Sequence, residues 1–188
     1  PPPPMRRYLL LALGSIFVVV ADQLTKIWAV SALSLSPPGG LPEDASHILS
    51  RVQVVFDGWF NFKLAGNKGA AWGLFRTLPE SWRVPFFVII GLVAIGVIVT
   101  LYRRAHGQRL LRWALTLILG GAVGNLIDRV RLGFVVDFID WYYGEAHWPT
   151  FNIADVAISV GVGLLVVDMI VQGRSAADAA DDPAKATD

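Results

Sequence analysis

The 188-residue sequence contains no cysteine, and this absence excludes several kinds of chemistry. The chain can form no disulfide, no thiolate nucleophile and no sulfur-ligated metal site. Histidine is scarce as well: the three histidines, His47, His106 and His147, are far apart and lie in three different predicted loops. No pair of them has the HExxH-type spacing of a zinc peptidase, so we expect neither a metal nor another cofactor.

Charged residues make up only 16% of the sequence, whereas an average soluble domain carries about 25%. The net charge of +1 gives no reason to expect a nucleic-acid partner. Hydrophobic residues reach 54%, and the mean hydropathy is +0.53. Together these values indicate a protein that lies in a membrane.

The apolar residues occur in long stretches without the alternating polar face of a soluble helix. Val84–Tyr102 has no charged residue, and as a helix it would measure about 28 Å, close to the roughly 30 Å of a bilayer's hydrocarbon core. Three other stretches are interrupted by only a few charges. We therefore predict an α-helical membrane protein with four transmembrane helices, which run from Tyr8 to about Leu33, over Val84–Tyr102, from about Leu110 to Val130, and from about Ile153 to Val171.

The first residues need separate interpretation. Pro1–Pro4 precede Met5 and are interpreted as a cloning remnant, because a native chain would begin at Met5. Arg6 and Arg7 ahead of an apolar stretch resemble a secretory signal sequence. The helical pattern nevertheless continues to about Leu33, which favours a retained first transmembrane helix. We expect residues 5–172 to form one membrane domain.

The segment between the first two predicted helices carries strand signals. Val52–Phe56 and Trp59–Ala65 are rich in β-branched and aromatic residues, and they flank the turn dipeptide Asp57-Gly58. We predict a small β-hairpin at about residues 51–65. One of its faces is apolar and would lie against the membrane surface or over the helices.

Arginine is concentrated in the short loop after the second predicted helix. By the positive-inside rule this loop and both termini are cytoplasmic, and the two other connections face outward. The outer connections are Ser34–Arg83 and Leu132–Asn152. The tail Gly173–Asp188 is rich in Ala and Asp and is predicted to be disordered. The arginines of the short loop are Arg103, Arg104, Arg109 and Arg112.

Polar residues inside the predicted helices collect at one membrane level. A charged side chain in a membrane helix costs roughly 2.5–3.5 kcal/mol on insertion scales, so each is a candidate for function. Asp22 and Lys26 form an i,i+4 pair of opposite charge, and Gly120 and Gly124 offer a small-residue packing surface. The alternative is that these groups only hold helices together. The other members near the outer ends are Asn125, Asp128, Arg129, Asn152 and Asp155, with Asp137 and Asp140 in the outer connection.

Five short motifs carry a family resemblance. They are Asp22-Gln-Leu-Thr-Lys26, Asn67-Lys-Gly-Ala-Ala71, Gly120-Gly-Ala-Val-Gly-Asn-Leu-Ile-Asp-Arg129, Val135-Val-Asp-Phe-Ile139 and Phe151-Asn-Ile-Ala-Asp155. In order and membrane context they are similar to the motifs of lipoprotein signal peptidase (signal peptidase II), from Arg6 to about Gln172. Two departures are Trp72, where the family usually has Phe, and a segment Ser36–His47 that is longer than usual.

The resemblance implies an aspartic protease that cuts prolipoproteins before a diacylglyceryl-modified cysteine. It implies that Asp137 and Asp155 are the catalytic pair. The positions that match the family's substrate site or its supporting polar groups are Asn67, Gly69, Asn125, Arg129, Asn152, Asp22, Lys26 and Asp128. It further implies the bacterial inner membrane, a site near the outer leaflet, and membrane lipid and a lipidated prolipoprotein as partners. We expect a monomer.

The chemistry of two carboxylates agrees with this implication. Close carboxylates share a proton, so one can activate water while the other polarises the scissile carbonyl. Asn152 is a good N-cap for the fourth helix, and Asp155 would then meet the positive end of the helix dipole. The alternatives are that Asp155 only completes a capping box and that Asp137 is a solvated loop residue. Spacing alone does not eliminate Asp140 as a member of the pair.

Three other functions are alternatives for this sequence. A serine–lysine protease could use Ser31 or Ser81 with Lys26, but neither serine lies in a nucleophile motif. A proton-coupled transporter would spread its carboxylates through the membrane depth, whereas here they collect at the outer side, apart from Asp168. A purely structural membrane subunit would have little reason to carry so many charges.

Overall fold

The structure, a computed structural model, describes residues 4–36, 41–69 and 79–181. Part of the long segment Ser36–His47 and the motif residues Ala70, Ala71 and Trp72 therefore lie outside the described residues. Four helices in the described part are long and apolar enough to cross a membrane, which confirms the predicted fold class. They are α1 (Pro4–Leu33), α2 (Glu80–Arg104), α3 (Arg109–Leu132) and α4 (Ile153–Asp181).

The ends of the helices follow from local sequence. Pro85 is the sixth residue of α2 and lies inside the helix, where it provides no N–H to the helical hydrogen-bond pattern. At the end of α3, Gly133 takes a left-handed conformation (φ +76°), and its N–H bonds to the carbonyl of Arg129. α2 and α3 extend a few residues beyond the predicted apolar stretches, because backbone hydrogen bonds continue past the last apolar residue.

The prediction of a disordered C-terminal tail is partly wrong. Residues 173–181 continue α4, whereas we predicted Gly173–Asp188 to be disordered. This part of the chain is rich in alanine, which has the highest helix propensity, so an existing helix propagates into it. Residues 182–188 lie outside the described part.

α3 packs against each of the other three helices and is the centre of the bundle. A Cβ atom on Gly120 would lie 2.6 Å from Val18, and one on Gly121 would lie 2.4 Å from the carbonyl oxygen of Ala154. At Gly124 it would lie 2.7 Å from the Asp22 carboxylate. The small residues therefore allow close approach of α1 and α4 to α3, which brings their polar side chains into contact.

One end of the helical bundle carries a four-stranded antiparallel sheet in the order β1-β2-β3-β4. The predicted hairpin is confirmed as β1 (Gln53–Phe56) and β2 (Phe60–Asn67), with Gly58 at φ +80° in the turn. The other strands are β3 (Val135–Tyr143) and β4 (Ala146–His147).

The Leu132–Asn152 connection, for which no strand was predicted, contains β3 and β4. β3 is rich in valine and aromatic residues, which suit a strand, and it pairs with β2. In this register Ala65 lies opposite Asp137 and Asn67 opposite Val135. Because β2 and β3 are far apart in sequence, neither local pattern nor turn chemistry specified the pairing.

The sheet packs on the C-terminal end of α1. Ala29 and Leu33 of α1 form a buried apolar cluster with Leu64 of β2 and Val136 and Phe138 of the β3 segment. The sheet is therefore fixed to the helical bundle by apolar packing, directly beside the polar ends of α3 and α4.

Candidate active site

Asp137 and Asp155 approach each other from different elements. Asp137 is the third residue of β3 and is only 2% exposed, whereas Asp155 lies in the first turn of α4. Asn152 contacts both: its Nδ2 donates to Asp137 Oδ1 at 2.6 Å, and its Oδ1 accepts from the Asp155 N–H at 3.0 Å. The Asn152 N–H also donates to Asp155 Oδ2 at 3.3 Å, which completes the anticipated capping box. Capping and proximity to Asp137 are therefore compatible.

Asn125 of α3 connects this pair to a buried cation. Its Nδ2 donates to Asp155 Oδ1 at 2.8 Å. Its Oδ1 accepts two hydrogen bonds, from Asn152 Nδ2 and from Lys26 Nζ, both at 3.1 Å. Two amide side chains thus link the Lys26 ammonium to both carboxylates, and each amide has its orientation fixed by these partners.

The predicted Asp22–Lys26 pair is present within a larger buried cluster. Lys26 Nζ lies 2.8 Å from an oxygen of Asp22 and 2.8 Å from one of Asp128, and all three side chains are at most 4% exposed. Asp22 accepts the N–H of Ala154 at 3.0 Å, and Asp128 accepts the N–H of Val136 at 3.0 Å. The cluster therefore fixes the starts of α4 and β3 to α1 and α3.

Asn67, Gly69 and Arg129 form the side of the site that faces β2. Asn67 hydrogen-bonds the Asp137 side chain, and its Oδ1 accepts the N–H of Gly69 at 3.1 Å. Arg129 donates to the carbonyl of Gly69 at 3.2 Å and to that of Asn125 at 3.3 Å. Its guanidinium also lies 4.8 Å from the centre of the Phe87 ring. Every predicted site residue therefore lies in one connected polar network.

Burial controls the protonation of Asp137. Removal from water raises the pKa of the Asp137 carboxyl well above its ordinary value, and the negative charge of Asp155 raises it further. Hydrogen bonds from Asn67 and Asn152 and the charge of Lys26 oppose this rise without reversing it. Asp137 therefore favours the protonated form, as expected of one member of a carboxylate pair.

Beside the two aspartates lies a cavity of about 950 Å³. One wall comes from the end of β2, another from the N-terminal part of α4, and a third from the region around β4. Sequence reasoning missed this third wall because it did not identify β3 or β4, although Gly144 between two aromatic-rich segments is a turn signal. The residues of the third wall are Trp141, Trp148, Pro149, Thr150 and Phe151.

Asp140, left open as a member of the pair, lies elsewhere. It is three residues from Asp137 on the same strand, so the two side chains point to opposite faces of the sheet. Its carboxylate is fully buried and bonds to Lys63 at 2.8 Å and to His147 at 2.9 Å.

The serines of the alternative mechanism are not assembled with Lys26. The Ser31 hydroxyl donates to the carbonyl of Trp28 at 2.8 Å, and both Ser31 and Ser81 are exposed. Lys26 instead contacts Asp22, Asp128 and Asn125. This arrangement gives no support to a serine–lysine protease.

Comparison with known proteins identifies similar chains. The family model described as signal peptidase (SPase) II matches residues 15–171. A lipoprotein signal peptidase of Geobacter sulfurreducens is 50% identical over 121 residues, which cover 64% of this chain and 74% of the relative. A lipoprotein signal peptidase of Syntrophotalea carbinolica is 42% identical over 164 residues, 87% of this chain and 92% of that protein.

Two solved bacterial membrane enzymes share the architecture. One has a TM-score of 0.69 at 30% identity and covers 87% of this chain and 88% of its own. The other has a TM-score of 0.65 at 31% identity and covers 85% of this chain and 91% of its own. Together with the match over residues 15–171, these similarities show that the chain is a membrane peptidase and belongs to the signal peptidase II family.

Proposed function

We propose that this protein removes signal peptides from prolipoproteins by an aspartic mechanism in which Asp137 and Asp155 act together. The observation that carries the proposal is the Asn152 side chain, which hydrogen-bonds Asp137 and also the backbone of Asp155. Family membership supports the substrate class, and the cavity beside the two aspartates supplies the space.

The two carboxylates have different roles in this mechanism. Asp155, at the positive end of the α4 dipole, is ionised and takes a proton from water as the water oxygen bonds to the scissile carbonyl carbon. Asp137 is protonated and gives its proton to the carbonyl oxygen. The tetrahedral intermediate then breaks its C–N bond: the Asp155 carboxyl protonates the leaving nitrogen, and Asp137 recovers a proton from a hydroxyl of the intermediate. Each acid–base role contributes about 10²–10⁴ in rate.

The surrounding network keeps this pair in position. The Lys26 ammonium polarises the Asn125 carbonyl, and the Asn125 amide donates to Asp155. Since these dipoles are fixed before substrate arrives, they need little reorganisation during the reaction. Lys26, Asp22 and Asp128 thus support the site without touching the reacting atoms.

The substrate is a precursor whose cysteine carries a diacylglyceryl group, and the bond before that cysteine is cut. Asp155 is only two residues into the fourth candidate span, which supports a site near the membrane boundary. Val156 and Val160 on the α4 wall of the cavity are apolar and suit a lipidated chain that enters from the bilayer with its acyl groups still in lipid.

The substrate class has a direct test. Purified protein is mixed with a lipidated precursor and with the same precursor lacking the lipid, and the products are analysed by mass spectrometry. We expect cleavage of the lipidated precursor immediately before the modified cysteine and little cleavage of the other. Equal cleavage of both, or a cut elsewhere, would refute the lipid requirement, and no cleavage of either would refute the proposed activity.

The orientation is also a proposal: the termini face the cytoplasm of a bacterial inner membrane, and the sheet faces outward. The cysteine-free chain allows single cysteines at His106 and Asp57, both exposed, to be labelled with an impermeant reagent in spheroplasts. Asp57 is preferable to Gly58, whose φ of +80° would strain a cysteine. Labelling at position 57 alone supports the orientation, and labelling at position 106 alone reverses it.

A further inference from the structure

Another buried carboxylate, Asp140, joins three strands on the far side of the sheet from Asp137. Asp140 of β3 forms an ion pair with Lys63 of β2, whose Nζ lies 2.8 Å from Asp140 Oδ1. His147 Nδ1 of β4 lies 2.9 Å and 3.1 Å from the two carboxylate oxygens of Asp140. The Asp140 side chain has no exposed surface, whereas the Lys63 and His147 side chains are 29% and 44% exposed. We call Asp140, Lys63 and His147 the strand clamp.

The strand clamp holds a strand that is too short to be stable by itself. β4 has two residues, and it pairs with β3 only through Tyr142 with His147 and Tyr143 with Ala146. Such a short strand depends on additional contacts. The Tyr142 ring stacks on the His147 ring with centroids 5.2 Å apart, and its hydroxyl accepts the N–H of Gly58 at 2.9 Å. The charges of the clamp therefore act at the point where β4 is attached to the sheet.

Residues directly adjacent to the strand clamp form a wall of the cavity. Trp141 follows Asp140, and Trp148 follows His147; both line the cavity beside Asp137 and Asp155. The N–H of Trp148 donates to the carbonyl of Trp141 at 2.8 Å. The Trp141 ring also packs edge-on against Phe151, with centroids 5.3 Å apart. Each tryptophan is therefore bonded directly to a residue of the strand clamp, so its position depends on that of the clamp.

We propose that Asp140 is a positioning residue for substrate binding: by pairing with Lys63 and His147 it holds β4 on β3 and thereby fixes the Trp141–Trp148 wall of the cavity. The inference rests on the proposed function. It assigns Asp140 no part in proton transfer, because its side chain points to the opposite face of β3 from Asp137.

The ionisation state of Asp140 suits this role. Burial by itself raises the pKa of the Asp140 carboxyl, but hydrogen bonds from Lys63 and His147 outweigh it, so the pKa lies below its ordinary value. The carboxylate is therefore charged at neutral pH and keeps both partners. An uncharged amide would lose the attraction to Lys63 and could bind His147 only through a neutral hydrogen bond.

The kinetic consequence distinguishes positioning from simple support of folding. A displaced wall weakens contacts that the substrate makes equally in the ground state and the transition state, which raises KM and leaves kcat almost unchanged. A purely structural role would lower the folded fraction, so that apparent kcat falls while KM stays the same.

The experiment compares Asp140→Asn with wild type on a lipidated precursor, with the folded fraction measured by size-exclusion chromatography in detergent. We expect KM to rise about fivefold and kcat per folded enzyme to stay within about twofold. Asp168→Asn is the matched control. The Asp168 carboxylate is also buried, but it lies about 20 Å from Asp155 along α4, so the KM of this variant should equal that of wild type.

Two further variants decide the matter if Asp140→Asn does not fold. Lys63→Met and His147→Gln each remove one arm of the clamp from a partly exposed position, and each should raise KM by a smaller factor. An unchanged KM in folded Asp140→Asn, or in both arm variants, would overturn the inference. If wild type itself does not cut the precursor, it is the proposed function that fails, so the two failures are distinguishable.

Discussion

The Nδ2 atom of Asn152 lies 2.6 Å from Oδ1 of Asp137, although one residue precedes α4 and the other belongs to β3. Asn152 is fully buried and also caps the helix that carries Asp155. One amide side chain therefore fixes the distance between a strand and a helix N-terminus, and with it the relative position of the two aspartates. The chemical and structural roles of Asn152 can be separated by experiment.

Asn152→Ala and Asn152→Ser should differ in stability but not in activity. Loss of an N-cap costs about 0.5–2 kcal/mol, and serine retains the capping oxygen. The serine hydroxyl is too short to reach Asp137 as well. We therefore expect a lower melting temperature for the alanine variant alone, and a low kcat for both. Wild-type kcat in Asn152→Ser would show that the contact with Asp137 is unimportant.

Asp137→Asn and Asp155→Asn should each reduce cleavage of a lipidated precursor by at least about 10³-fold, because an amide neither takes a proton from water nor shares one. The double variant should be little worse than either single variant, since the two groups act as a unit. Asp128→Asn should fall between these and wild type through misplacement of β3. Wild-type rates in both single variants would end the aspartic-protease proposal.

Lys26→Met should lower stability at least as clearly as specific activity. It leaves Asp22 and Asp128 buried without their cation, and breaking a buried pair costs about 3–5 kcal/mol. Lys68→Met is a suitable control for melting temperature, because both side chains of the Lys68–Asp44 pair are partly exposed and its loss should matter less. A Lys26→Met protein with wild-type stability and no turnover would instead give Lys26 a direct catalytic role.

The raised pKa of Asp137 predicts how stability depends on pH. An unfolded aspartate titrates near pH 3.9, so between about pH 3.9 and the raised folded pKa the native state binds more protons than the unfolded state. The contribution of Asp137 is therefore fully present below this range and is lost as pH rises through the folded pKa. Melting temperatures in detergent should fall less steeply with rising pH in Asp137→Asn than in wild type. Parallel curves would contradict a buried, protonated Asp137.

The sequence by itself determined the four membrane helices and the β1–β2 hairpin. Both depend on local properties: a helix satisfies its backbone hydrogen bonds within one segment, and long apolar stretches such as Val84–Tyr102 can lie only in lipid. The hairpin required only a turn dipeptide between two strand-forming segments. The motifs likewise indicated the residues of the polar network, including Asn67, Asn125 and Asn152, through their family resemblance.

Only the tertiary structure decided which of these groups touch. β3 pairs with β2 across a long separation in the chain, and this pairing directs Asp137 towards Asn152 while Asp140 turns to Lys63 and His147. Asp137 and Asp140 lie three residues apart in β3. Until this segment was known to be a strand, the sequence did not show that their side chains point to opposite faces. Contacts between distant segments depend on packing of the whole bundle, where Gly121 and Gly124 of α3 leave just enough space for Ala154 and Asp22.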